Sequence, residues 1–198
     1  MKFNMTFQMM GTVLSGIVKK AIPDKAVQQN IKKMYQDIVL RADDIGGQNR
    51  LLGSYALAAF FIAMNRCDHL SAEENCNILE HGLGHSKLYK AAMGNSKQYF
   101  SEKKMESRRK WSRETHERKY KNDWVVDVLE KTADYTFGFD YWECGVCKLC
   151  RDEGCFELAK YLCRLDYMTT DMMGIHLERS TTLAEGGEKC DFRFSPKK

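Results

Sequence analysis

Apolar positions recur at helical spacing up to about residue 120 and alternate from Trp124 onward, so the pattern changes period part-way along the chain. Asp24 stands as an N-cap before KAVQQNIKKMYQDIVLRA, and Gly46-Gly47 separates that helix from NRLLGSYALAAFFIAMNR, whose apolar density predicts burial on most sides. Ser71 and Glu74 form a capping box ahead of ENCNILEHGLGHSKLYKAA, read as one further helix. SEKKMESRRKWSRETHERKYKN follows, with bases outnumbering acids. Opposite charges at helical spacing make a solvated helix face its first reading, and phosphate binding the lesser one.

After the change of period, WVVDVLEKT and YTFGFDYWEC alternate and are rich in valine and aromatics, as an antiparallel pair would be. CFELAKYLCRLDYMTTDMM returns to helical spacing, and IHLERSTTLA and KCDFRF then alternate on either side of Gly186-Gly187, read as a two-residue hairpin turn. The expected class is α+β, with N-terminal helices packed on a four-stranded antiparallel sheet. A single domain is expected over 1–198, mainly helical over 1–120, with the sheet and a motif-bearing helix over 121–195.

The hairpin sets a problem at Arg179. With Gly186 and Gly187 as the loop, Leu183 faces Cys190, Thr181 faces Phe192 and Arg179 faces Phe194. Strand alternation then gathers Ile175, Leu177, Arg179, Thr181 and Leu183 with Cys190, Phe192 and Phe194 on one apolar face. A guanidinium directed into a core costs several kcal/mol unless an anion meets it. That anion is either a carboxylate of the protein or a carboxylate of a substrate. Cys163 and Asp166 share one face of the preceding helix and are candidates for chemistry. The plainer reading makes Cys163 a small buried hydrophobe and Asp166 a hydrogen-bond acceptor.

Composition changes this picture only at the cysteines. A net charge of +4 suits solubility and some affinity for anions, and does not point to nucleic acid. The N-terminal segment lacks the charge pattern and cleavage site of a signal peptide, and no run of apolar residues has the length of a membrane span, so a cytoplasmic protein is expected. Its eight cysteines are then thiols rather than a disulfide framework, and six of them fall between Cys144 and Cys190. CGVCKLC followed by Cys155 matches zinc spacing only in part; the metal alternative draws on Cys144, Cys163 and Cys190, with zinc the one cofactor considered. His81 and His85 are four apart, but Gly82 and Gly84 weaken their helix and H-E-x-x-H is absent. Serine-hydrolase, P-loop and dinucleotide motifs are also absent.

Cys144, Glu157, CRLDY from Cys163 and LERSTTLAEGGEKCDFRF from Leu177 together resemble the L-2-amino-thiazoline-4-carboxylic acid hydrolase family, most specifically in E-R-x-x-T-L-x-x-G-x-x-x-C-D-F-R. Cys147, Cys150 and Cys155 depart from the simpler pattern of that family. The resemblance implies a fold similar to 4-vinyl reductase-type and TRAPP-like domains, and a reaction of cysteine metabolism that opens a cyclic isothiourea with water to give an N-carbamoyl-cysteine-type product. Set against that reaction, Arg179, with Thr181 beside it, suits the substrate carboxylate, and Asp166 or Glu157 suits the amidine-like nitrogens and proton transfer. An activated water or the thiolate of Cys163 or Cys190 suits the addition. The rival expectation is a non-enzymatic sensor module that binds zinc or a small ligand through the C-terminal cysteines.

Overall fold

The computed structural model describes residues 1–197. In chain order its elements are α1 (Met5–Ala21), α2 (Lys25–Arg41), α3 (Leu52–Cys67), α4 (Ala72–Gly84), α5 (Lys87–Met93), α6 (Ser96–Tyr99), α7 (Glu102–Thr115), β1 (Val125–Leu129), β2 (Phe137–Glu143), α8 (Gly145–Asp152), α9 (Ala159–Met172), β3 (Ile175–Glu178) and β4 (Cys190–Pro196), with short 3-10 turns at Phe156–Leu158 and Leu183–Glu185. The class is α+β, as the periodicity predicts. Two compact units are built from interleaved stretches: residues 1–83, 120–122 and 145–162 form one, and 84–119, 123–144 and the chain from Cys163 onward form the other.

The first unit is helical. Asn4 caps α1 through bonds from the Thr6 and Phe7 amides, and Asp24 caps α2 through the Ala26 and Val27 amides at 2.7 and 3.2 Å. Side-chain oxygens at these positions accept from amides that have no carbonyl partner within the helix. In α3 burial is unbroken from Tyr55 to Met64, which matches its apolar density. Tyr35 of α2 packs at a tilt against Phe60 and donates its hydroxyl to Phe7 O at 2.8 Å, so its polar tip is satisfied inside the core. The Ser71–Glu74 box forms reciprocally before α4, but the helix expected to continue to residue 92 stops at Gly84 and Ser86 caps a separate α5. Among the described residues no helix is long and apolar enough to cross a membrane.

The second unit carries the sheet, in the order β1-β2-β4-β3 with antiparallel neighbours. One face presents Phe137, Phe139 and Tyr141 of β2 beside Phe194, Phe192 and Cys190 of β4. Tyr99, Phe100 and Trp111 pack their rings on that face, mostly edge-on. The basic segment forms α7, where Ser112 Oγ donates to Val126 O of β1 at 2.8 Å. Two of its bases meet acids: Arg109 bonds Glu102 and Glu130, and Lys110 lies 3.8 Å from Glu114. Arg108 turns inward over the rings of Tyr99 and Phe137 and donates to Tyr99 O at 2.7 Å.

The C-terminal pairing differs from the expected hairpin. Leu177 pairs with Phe194 and Glu178 with Arg193, a register two residues away from Arg179 opposite Phe194. A shift of two keeps every side chain on its face, so Leu177, Arg179, Phe192 and Phe194 still share one side. β3 ends at Glu178, and Gly186-Gly187 is not a two-residue turn. Thr182 caps the 3-10 turn, Gly186 ends it with φ 88°, and Leu183 meets Cys190 by donating its amide to Sγ at 3.2 Å rather than as a ladder partner. A Cβ on Gly187 would lie 1.9 Å from Thr181 Oγ1 and 2.9 Å from Thr182 O, so the second glycine is a matter of space. Gly187→Ala is expected to cost about 1–3 kcal/mol by urea denaturation, because the backbone carbonyl cannot turn away as a side chain can. An unchanged midpoint would mean that the loop has room that its geometry does not suggest.

Candidate active site

Arg179 follows directly on β3, and Asp191 fixes the bend there. The Asp191 carboxylate accepts the Ser180 amide at 2.9 Å, the Ser180 hydroxyl at 2.6 Å and the Thr181 amide at 2.7 Å. Burial pulls this carboxyl up, but those bonds outweigh it and hold it below the ordinary aspartate range. With the bend held, only 5% of the Arg179 side chain meets solvent. Its guanidinium lies 4.9 Å from the ring centres of both Tyr167 and Phe192. Nη1 donates to Asp166 Oδ2 at 2.9 Å, and Nη2 to Cys163 O at 3.1 Å. The anion that meets Arg179 is therefore a carboxylate of the protein, one of the two partners the sequence left open.

Around this pair stand Cys163 on α9, Cys144 at the end of β2, Cys190 at the start of β4, and Tyr141. Burial raises the Cys163 thiol first, and Asp166 and Cys144 raise it further; Arg179 opposes them without prevailing. Burial likewise pushes Cys190 up to about 12, although the Leu183 amide donates to its sulfur. Tyr141 is raised by burial and then by Tyr99, Asp166, Cys144 and Cys190. Asp166 keeps 42% of its side chain open, yet desolvation lifts its carboxyl to about 6 against the pull of Arg179. The cluster at neutral pH thus holds one carboxylate that can exchange a proton, one fixed cation and, at Cys163 and Cys190, protonated thiols.

A shallow pocket of about 400 Å³ adjoins the cluster, lined by Tyr167, Leu177, Glu178, Arg179, Ser180, Asp191 and Arg193. Arg179 belongs to both. Arg193, across the sheet from the aromatic face, stands 2.8 Å from Asp140 and packs its guanidinium on Tyr135. Much of the E-R-x-x-T-L-x-x-G-x-x-x-C-D-F-R run is thereby accounted for: Thr182 and Gly186 shape the loop, Cys190 and Asp191 receive its amides, and Phe192 stacks on the arginine. Residues 49–194 match the family model for L-2-amino-thiazoline-4-carboxylic acid hydrolase. The chain belongs to that family. No curated protein and no solved structure matches it.

Placed in this hydrolase family, the residues singled out in the sequence divide by unit. Cys163, Asp166, Arg179 and Cys190 come together in the second, with Thr181 half-buried beside Asp191. Glu157 lies in the first unit, exposed on the 3-10 turn at Phe156–Leu158. The zinc alternative for Cys144, Cys163 and Cys190 finds no support in their placement: among the described residues no group of three or more His, Cys, Asp or Glu side chains is arranged to hold a metal ion. Tyr141 and Tyr167 join the cluster without having been singled out. Tyr141 shares the alternation of Phe137 and Phe139, and Tyr167 directly follows Asp166; both signals were in the sequence, but each reads equally as core packing.

Proposed function

We propose that the chain is a hydrolase that opens the ring of L-2-amino-thiazoline-4-carboxylate, or of a closely related cyclic isothiourea, to an N-carbamoyl-cysteine-type product. Family membership supports the reaction class, and one observation carries the assignment of parts: Arg179 is paired to Asp166 on one side and walls the open pocket on the other. A guanidinium has five N–H donors, more than the two it uses on Asp166 and Cys163, so it keeps capacity for a substrate carboxylate entering from the pocket. Ser180 and Arg193 border the same space, and Thr181 steadies the bend.

With its carboxyl at about 6, Asp166 is mostly ionised at neutral pH and still basic enough to accept a proton. Water gives it a proton as the water oxygen bonds to the carbon between sulfur and nitrogen, and that proton passes to the ring nitrogen. The remaining hydroxyl proton then travels to sulfur as the carbon–sulfur bond breaks, leaving a urea carbonyl and a thiol. All atoms of the water end in the product. Cys163 and Cys190 stay protonated in the resting site, which favours water over a thiolate as the nucleophile and makes the two thiols packing groups beside the Arg179–Asp166 pair. The purified chain incubated with L-2-amino-thiazoline-4-carboxylate is expected to release new thiol with a product heavier by one water. No thiol release above the spontaneous rate would remove this substrate and leave the reading without its reaction.

A further inference from the structure

We propose that Cys150 and Cys155, in the first unit and apart from the Arg179 cluster, form a dithiol that a hydroperoxide oxidises to a local disulfide. The geometry begins with the end of α8. Gly154 takes φ 67°, its amide donates to Arg151 O at 2.9 Å, and the Cys155 amide donates to Cys150 O at 2.8 Å. This pair of bonds is a Schellman cap, in which the side chains three residues before the cap and two after it are brought into contact, usually as an apolar pair. Here both positions are cysteine. Their side chains do meet, for Cys150 hydrogen-bonds Cys155.

The two sulfurs are not equivalent. Cys150 is fully buried whereas Cys155 keeps 9% of its surface, so Cys155 is the one that an oxidant reaches. Arg66 is tied to the same loop: its Nη1 pairs with Glu153 and its Nη2 donates to Glu153 O at 2.5 Å, while Arg41 holds the same carboxylate from α2. The Cys150 hydrogen bond and the Arg66 charge draw the Cys155 thiol below its ordinary range although burial opposes them. The Cys155 thiolate attacks the outer oxygen of the peroxide, the O–O bond breaks and an alcohol leaves, giving a sulfenic acid on Cys155. The Cys150 sulfur then displaces that oxygen as water, and the disulfide closes. The cap already holds the partners together, so no refolding is needed.

Mild treatment of the full chain with an alkyl hydroperoxide should remove two of its eight thiols, and peptide mapping should place the bond between Cys150 and Cys155. Cys150→Ser should stop at a sulfenic acid on Cys155 that a cyclic 1,3-dione captures, and Cys155→Ser should keep all of its remaining thiols, Cys150 included, at that dose. A bond to Cys147, which lies one helical turn from Cys150, or a first adduct on any other cysteine would overturn the proposal. The mapping on the unaltered chain decides the matter even if a variant folds poorly.

Discussion

Asp166→Leu is expected to destabilise the fold by about 2–3 kcal/mol, Arg179→Met by less, and the double variant by less than either. Removing one member of a buried ion pair generally costs about 3–5 kcal/mol because the other is left without a counter-charge. Here the loss is asymmetric. Asp166→Leu strands a guanidinium that is 5% exposed, with only Cys163 O and two aromatic rings to soften the cost. Arg179→Met strands a carboxylate that is 42% exposed and that can take a proton instead. Replacing both by apolar groups removes the desolvation cost entirely. Denaturation curves for the four proteins check this, and single losses that simply add would mean that the two charges are not coupled.

The same pair has a pH signature of unusual sign. The folded Asp166 carboxyl, at about 6, lies above the ordinary aspartate value of 3.8 that the unfolded chain would show. The folded state therefore binds the extra proton between those values, and the contribution of Asp166 to stability declines as pH rises through that window and is flat above it. An aspartate held mainly by its salt bridge would do the opposite. In Arg179→Met the downward pull of the guanidinium is gone, and the window extends to higher pH.

What the sequence disclosed about this region, and what it concealed, follows from the period of a strand. Alternation assigns faces, so it puts Arg179 on the side of Leu177, Phe192 and Phe194, and its guanidinium does lie over the Phe192 ring. Register is invisible to alternation in steps of two, and a Gly-Gly pair suggests a turn type that the loop does not use. Gly186 and Gly187 had the composition of a hairpin; only the crowding by Thr181 and the hydrogen bonds to Asp191 reveal a longer connection. The metal-like spacing of Cys144, Cys147 and Cys150 coincides with a helical stripe in α8. Val146, Leu149 and Cys150 recur at that spacing, and Cys147, Leu149 and Cys150 are buried as small apolar residues would be. The capping residues Asp24 and Ser71 were legible because a cap is a local interaction. The partner of Arg179 was not, since Asp166 reaches it across 13 residues and any acid of the chain was eligible.

Asp166→Asn should lower kcat for thiazoline opening by roughly 10²–10⁴, the range for a positioned acid–base group, with a smaller change in KM. Asparagine keeps a carbonyl oxygen for Arg179 Nη1, so the site retains its shape and loses only the capacity to carry a proton. In the unaltered enzyme kcat/KM should be level above the Asp166 value of about 6 and fall below it, because a base must be ionised to act. The slope on the acid side should approach roughly tenfold per pH unit. A thiolate nucleophile predicts a different curve. Cys190 is held up at about 12 and Cys163 is also raised, so a rate dependent on either anion would climb steadily through pH 7 to 9. Cys163→Ser and Cys190→Ser should then cost far more than Asp166→Asn, whereas a few-fold loss in both makes the thiols packing groups and places the proton chemistry on Asp166. A rising alkaline limb together with a mild Asp166→Asn would transfer the chemistry to sulfur, and Arg179 would remain as the group that steadies the negative charge there.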